Sequence, residues 1–220
     1  MFEQLDLIIK GITYEEKWVP LSSRGSTIEP YTVDIRECFE SIILLRDTLK
    51  QKYKVNLYIS TYDNTPSHIL SEIENTLLPK DIFLCSKEGS SQFTTLINAL
   101  NKIPDKPGKT LVLRGDMIVQ DKLIDLLFDT KLPGDRVGVL CKTHHPVNYI
   151  SDVIDTFQYF DNNVKEKFKE FISKPGLEHA HRINDHVPVK LLIDEYLRNT
   201  YSCSEYFIIL PYNKIEYKHS

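Results

Sequence analysis

The chain has 220 residues, enough for one domain with a sizeable core, and its 41% hydrophobic and 26% charged content is that of an ordinary globular protein. The formal charge of -4, with signs mixed along the chain and no Lys/Arg stripe, argues against a protein that tracks a nucleic-acid backbone. The four cysteines (Cys38, Cys85, Cys141, Cys203) have no CxxC or Cys/His ligand spacing, which argues against a zinc site or a disulfide framework.

Met1 to Lys10 carries Glu3 and Asp6 ahead of a short apolar run, unlike a signal peptide, and no apolar stretch approaches the roughly 20 residues that span a bilayer. A cytoplasmic protein without a transmembrane segment is expected, with recruitment to a membrane surface by a partner left open. Leu5 to Ile12, rich in branched residues and closed by Gly11, reads as a buried strand. Trp18 to Tyr31 is a Pro/Ser/Gly-containing loop, in the place after a first strand where α/β sheets often hold ligands.

Thr32 to Tyr53 carries Ile35, Phe39, Ile42, Ile43, Leu45 and Leu49 at helical spacing, predicting an amphipathic helix. Val55 to Tyr62 is a strand, and a helix from about Ser67 to Leu78 follows the turn residues Asp63, Asn64 and Pro66. The unit repeats: strand Asp81 to Cys85, helix Ser91 to Lys102, strand Thr110 to Leu113, helix Asp121 to Phe128. Strands separated by single helices predict an α/β fold, an open, mostly parallel twisted sheet with helices on both faces.

Beyond Pro133 and Gly134, Arg136 to Cys141 reads as a strand, Val164 to Ile172 and Pro188 to Tyr201 as helices, and Glu205 to Leu210 as a last strand ended by Pro211. No repeat or linker divides the chain. A single domain over 1–220 is expected, less regular beyond about residue 130.

In an open parallel sheet, ligands bind beyond the carboxyl ends of the strands, where loops and helix N-termini present unpaired N–H groups. Those ends carry Thr13 and Tyr14, then Thr61, Tyr62 and Asp63, then Glu88 to Gln92, and finally Arg114, Gly115 and Asp116. Asp116 follows the apolar Leu111, Val112 and Leu113, where a carboxylate can meet a hard cation that needs few protein ligands; capping of the next helix is an equal alternative. Asp63 could accept from a base or ribose with Tyr62 stacking beside it, or close an Asx turn before Pro66. The segment Glu178, His179, His181, Asp185 and His186 is a second cluster, a metal chelate or solvated histidines.

Three motifs, YISTYD (Tyr58 to Asp63), TLVLRGDM (Thr110 to Met117) and YISD (Tyr149 to Asp152), follow one another with helices of suitable length between them. Over roughly its first three quarters the chain thereby resembles GT-A type nucleotide-sugar glycosyltransferases, particularly the WavE type of lipopolysaccharide-synthesis proteins. The resemblance implies a Rossmann-like GT-A fold and transfer of a sugar from a nucleoside-diphosphate sugar to a glycan, lipid-linked or protein acceptor, assisted by Mn²⁺ or Mg²⁺. It implies a nucleotide-binding part at about 1–130 and an acceptor-side part at about 131–220, with Thr13, Thr61, Asp63, Gln92, Asn98 and Arg114 around the nucleotide, Asp116 and His181 holding the metal, and Asp152 on the acceptor side. The family's Asp-x-Asp motif has Arg114 in its first position here, which keeps two alternatives open: an inactive binding or assembly protein of the same fold, and another nucleotide-binding α/β enzyme.

Overall fold

In a computed structural model of the chain, the described residues are 2–10, 35–87, 92–115, 117–119, 124, 127–128, 137–141, 153–173, 207–211 and 218–219. The alternating pattern builds β1 (Glu3–Lys10), α1 (Ile35–Leu49), β2 (Tyr53–Tyr62), α2 (Ser67–Thr76), β3 (Ile82–Ser86), α3 (Gln92–Leu100) and β4 (Lys109–Arg114). Then come β5 (Met117–Ile118), β6 (Val137–Cys141), β7 (Val153–Asp161), α4 (Lys165–Ile172), β8 (Phe207–Pro211) and β9 (Lys218–His219).

Among the described residues, seven strands form one sheet in the order β3-β2-β1-β4-β7-β6-β8, and β5 pairs with β9 apart from it. The first four strands are mutually parallel, as are β6 and β8, while β7 runs antiparallel to both of its neighbours. This is the open, mostly parallel sheet that the element alternation predicts.

Strand alternation divides the core between the two faces. Leu5, Leu7 and Ile9 of β1 join Leu57, Ile59, Leu111 and Leu113 under α1 and α2, whose buried residues include Phe39, Ile42, Leu45, Ile69 and Ile73. Ile8 joins Tyr58, Val112 and Phe160 under α3 and α4, through Leu96, Ala99, Leu100, Phe168 and Ile172. Each such leucine or isoleucine contributes about 1.5–3 kcal/mol by leaving water. Helices therefore cover both faces. Helical Leu127 and Phe128, within the predicted fourth helix, pack with the α1 cluster.

Two local devices fix the elements. Arg46 of α1 forms a buried ion pair with Asp81 (3.0 Å), and the Asp81 carboxylate accepts the N–H groups of Leu57 (3.2 Å) and Leu78 (2.8 Å). That acceptor, with extended backbone at Leu77, ends α2 at Thr76, two residues before the predicted limit. Gly108, just ahead of β4, lies so close to β1 that a Cβ there would stand 2.8 Å from the Gln4 carbonyl oxygen.

The strand β7 is the main departure from the sequence reading, which finds no element there. It inserts between β4 and β6, and its ladder with β6 slips at Val139/Leu140. The apolar and polar residues of VIDTFQYFD do alternate in part, but an antiparallel strand between parallel neighbours breaks the βαβ rhythm from which the others were read. The predicted helix from Pro188 to Tyr201 lies outside the described residues.

Candidate functional site

The carboxyl ends of β1, β2, β3 and β4 are Lys10, Tyr62, Ser86 and Arg114. Ladder register makes Lys10 the neighbour of both Ser60 on β2 and Arg114 on β4. Residues paired this way in a parallel sheet share a face, at strand spacings of about 4.8 Å. Two steps from Ile8 and Val112, Lys10 and Arg114 share the α3 face. Lys10 is 1% exposed and Arg114 9% exposed, and both have partners within the protein.

The start of α3 covers the same row. Ser60 Oγ donates to the Thr95 carbonyl (2.9 Å), and Asn98 Nδ2 donates to Ser86 Oγ (3.0 Å), so the first turns of α3 lie over the carboxyl ends of β2 and β3. A helix N-terminus carries a partial positive charge from its unpaired N–H groups. Two cationic side chains and a helix start thus meet at one edge of one face, an arrangement suited to phosphate oxygens.

The predicted residues divide between locations. Asn98 and Arg114 belong to this edge through Ser86 and Lys10. Gln92 is the first residue of α3. Thr61 faces the other side of the sheet, under α1 and α2, and its hydroxyl shares a hydrogen bond with that of Thr65 (3.2 Å). Asp63 is exposed just past β2, its N–H donating to the Ser86 carbonyl (2.8 Å), which carries the β2–β3 pairing one residue beyond the strand. Thr13, Asp116, Asp152 and His181 lie outside the described residues.

Nearby, burial first and the Asp63 charge second push the Cys85 thiol up, which keeps it protonated and poorly nucleophilic.

Lys10 is the residue that sequence reasoning missed, because the predicted strand runs on to Ile12 and puts its polar end at Thr13 and Tyr14, whereas β1 ends at Lys10. The signal that could have found it is its placement: LDLIIK puts Lys10 on the same strand side as Ile8 and Asp6, at the ligand edge of an α/β sheet.

The residues at this edge also bear on a divalent cation. Lys10 and Arg114 would repel one, and among the described residues no group of three or more His, Cys, Asp or Glu side chains could hold it. Among the described residues this edge suits an anion and offers no ligand set for Mn²⁺ or Mg²⁺, while the expected metal ligands Asp116 and His181 lie outside them. Among the described residues no helix is long and apolar enough to cross a membrane.

No protein-family signature and no curated protein sequence matches the chain. Solved structures do. The chain is similar to a 4-diphosphocytidyl-2C-methyl-D-erythritol synthase from Anaerococcus prevotii (10% identity, TM-score 0.54), with 97% of this chain and 92% of that one covered. It is also similar to a cytidylyltransferase from Leptospira borgpetersenii (13%, TM-score 0.52, 95% and 76% covered). A third match is a Desulfovibrio desulfuricans protein described as a nucleotide-diphospho-sugar transferase (12%, TM-score 0.50, 96% and 80% covered). At such identities the likeness establishes architecture: the chain has the Rossmann-like α/β fold of these transferases, the GT-A-like fold that the motifs imply. The finer likeness to WavE-type proteins rests on the three sequence motifs alone.

Proposed function

We propose that the protein is a nucleotide-sugar-using transferase that moves a sugar from a nucleoside-diphosphate donor to an acceptor hydroxyl. The observation that carries this reading is the polar edge beneath the start of α3, where Lys10, Ser60, Ser86 and Arg114 gather at the carboxyl ends of four parallel strands. An ordinary sheet end has no need of two buried cations.

In the reaction the acceptor oxygen attacks the anomeric carbon, the bond from that carbon to the diphosphate oxygen breaks, and the nucleoside diphosphate departs with the electron pair. Asp152 takes the acceptor proton. Asn98, Asp63 and Gln92 surround the nucleoside, and Thr13 and Asp116, which come after β1 and β4 in the sequence, act with them. Positive charge at the strand ends lowers the barrier by meeting the charge that develops on the leaving group.

A cytidylyltransferase is the second reading, favoured by the two synthase and transferase structures whose folds match. Product analysis separates them: release of nucleoside diphosphate from a sugar nucleotide marks glycosyl transfer, whereas release of pyrophosphate from CTP and a sugar phosphate marks nucleotidyl transfer.

The reading is tested by thermal melts with UDP, GDP, CDP, ADP and their sugars, followed by turnover assays with whichever binds. At least one nucleotide should raise the melting temperature, and Asp152→Asn should lower kcat at least 100-fold while donor affinity stays within threefold. No melting shift with any nucleotide sinks the reading, and an unchanged kcat removes Asp152 from the mechanism.

A further inference from the structure

Three features converge on one spot at the carboxyl edge of the sheet. Lys10 and Arg114 are register partners at the ends of β1 and β4 and share the α3 side of the sheet. Both are buried, so the strands hold their backbones and their heads have little freedom to swing into solvent. Ser60, the other register partner of Lys10, donates to Thr95 in the first turns of α3, which brings the positive end of that helix beside the same two cations.

Charge of this density serves an anion with more than one negative centre. A diphosphate carries two phosphate groups a few ångströms apart, and the planar guanidinium can hold one of them bidentately while the ammonium meets the other as a point charge. A nucleoside, being neutral, gains nothing from the pair. In sequence, Arg114 also occupies the position where the resembled family has the first aspartate of its metal-binding motif.

We propose that Lys10 and Arg114, backed by the α3 N-terminus, are the diphosphate-binding element of this protein and perform there the charge neutralisation that a divalent cation performs elsewhere, so that nucleoside diphosphates bind without metal. This deepens the reading of the site as a nucleotide-sugar site and rests on it. Their burial and their contacts within the protein limit the freedom of both side chains before the ligand arrives. Preorganisation of that kind raises affinity because less side-chain freedom is lost on binding.

The test is calorimetric titration of the full chain with UDP, GDP, CDP, ADP and inorganic pyrophosphate, first in excess EDTA and then with Mn²⁺. Affinity for the preferred nucleoside diphosphate should change less than threefold between the two conditions. Lys10→Gln should weaken it at least tenfold while the corresponding nucleoside binds as before, and Lys10→Arg should recover most of the loss. Melting curves on each variant confirm that it folds. If Lys10→Gln does not fold, the same comparison is made between the wild type and Lys10→Arg over a salt series, where steep weakening with salt is expected for both.

A loss of threefold or more in EDTA, or Lys10→Gln binding as tightly as the wild type, overturns the inference and leaves the transferase reading standing. So does flat salt dependence. Absence of binding by every nucleoside diphosphate under both conditions overturns the transferase reading itself, and the inference with it.

Discussion

The two ends of the same three strands make opposite uses of buried polar groups. On the α3 side of the sheet, Asp6 of β1 is the register partner of Asn56 on β2 and of Thr110 on β4; four residues further along, the same row reads Lys10, Ser60 and Arg114. At the amino end the carboxylate is enclosed by neutral donors. Asp6 Oδ1 accepts from Gln4 Nε2 (3.1 Å), Asn56 Nδ2 (3.0 Å) and the Tyr58 hydroxyl (3.4 Å), and Asp6 Oδ2 accepts from Asn162 Nδ2 (3.1 Å). The Thr110 hydroxyl donates to Asn162 Oδ1 (2.7 Å), which orients that amide. At the carboxyl end the same row carries two cations under a helix start. A polar cluster whose donors and acceptors close on one another stabilises a fold; a charged row at the ligand edge of an α/β sheet is the one we propose to bind ligand.

The comparison predicts that stability and binding separate along the strands. The largest effect expected is from Asp6→Ala, which leaves the buried amide and phenol donors without their acceptor and should cost about 3 kcal/mol in urea unfolding, with nucleotide affinity unchanged in whatever fraction remains folded. A variant as stable as the wild type, or one that loses binding instead, breaks the division. Next is Gly108→Ala at the same amino edge. Its Cβ would meet the backbone of Gln4, which cannot turn aside, so β1 and β4 must part locally at a cost of about 2 kcal/mol. The same unfolding measurement checks it, and a change under about 0.5 kcal/mol means that the approach is looser than the structure shows.

How much of this was legible beforehand follows from what each signal depends on. Leu5, Leu7, Ile9 and the residues of α1 announce themselves by local period, and the βαβ alternation then dictates a parallel sheet and its ligand edge. Arg114 was legible for the same reason, as the residue closing an apolar strand at that edge. The pairing of Lys10 with Arg114 was not, since it depends on β4 lying beside β1 across about a hundred residues of chain. Strand order is a tertiary fact with no local signature. The Asp6 cluster was hidden likewise, because Asn162 reaches it from the end of β7, the strand the sequence reading lacks. Thr61 shows the converse: the motif that contains it was visible, but the two-residue period of the strand puts its hydroxyl on the side away from Asn98 and Arg114.

The smallest effect expected is also the one that distinguishes burial from hydrogen bonding as the dominant influence on Asp6. Burial pushes its carboxyl above the ordinary carboxylate range, and the bonds from Asn162, Asn56, Gln4 and Tyr58 pull the other way with smaller effect. The folded state therefore prefers the protonated acid more strongly than the unfolded chain does. Stability from this group is fully present below the unfolded pKa, about 4, and is lost as pH rises through the raised folded value. Asp6→Asn has no such proton. Subtracting its unfolding free energy from that of the wild type at pH 4, 5, 6 and 7 should give a difference that declines with pH, by at most about 1.4 kcal/mol per unit, and then levels off. If the difference instead grows with pH, the four donors outweigh burial, and the amino edge is a built site for a charged carboxylate, as much an electrostatic device as the cationic row at the other end.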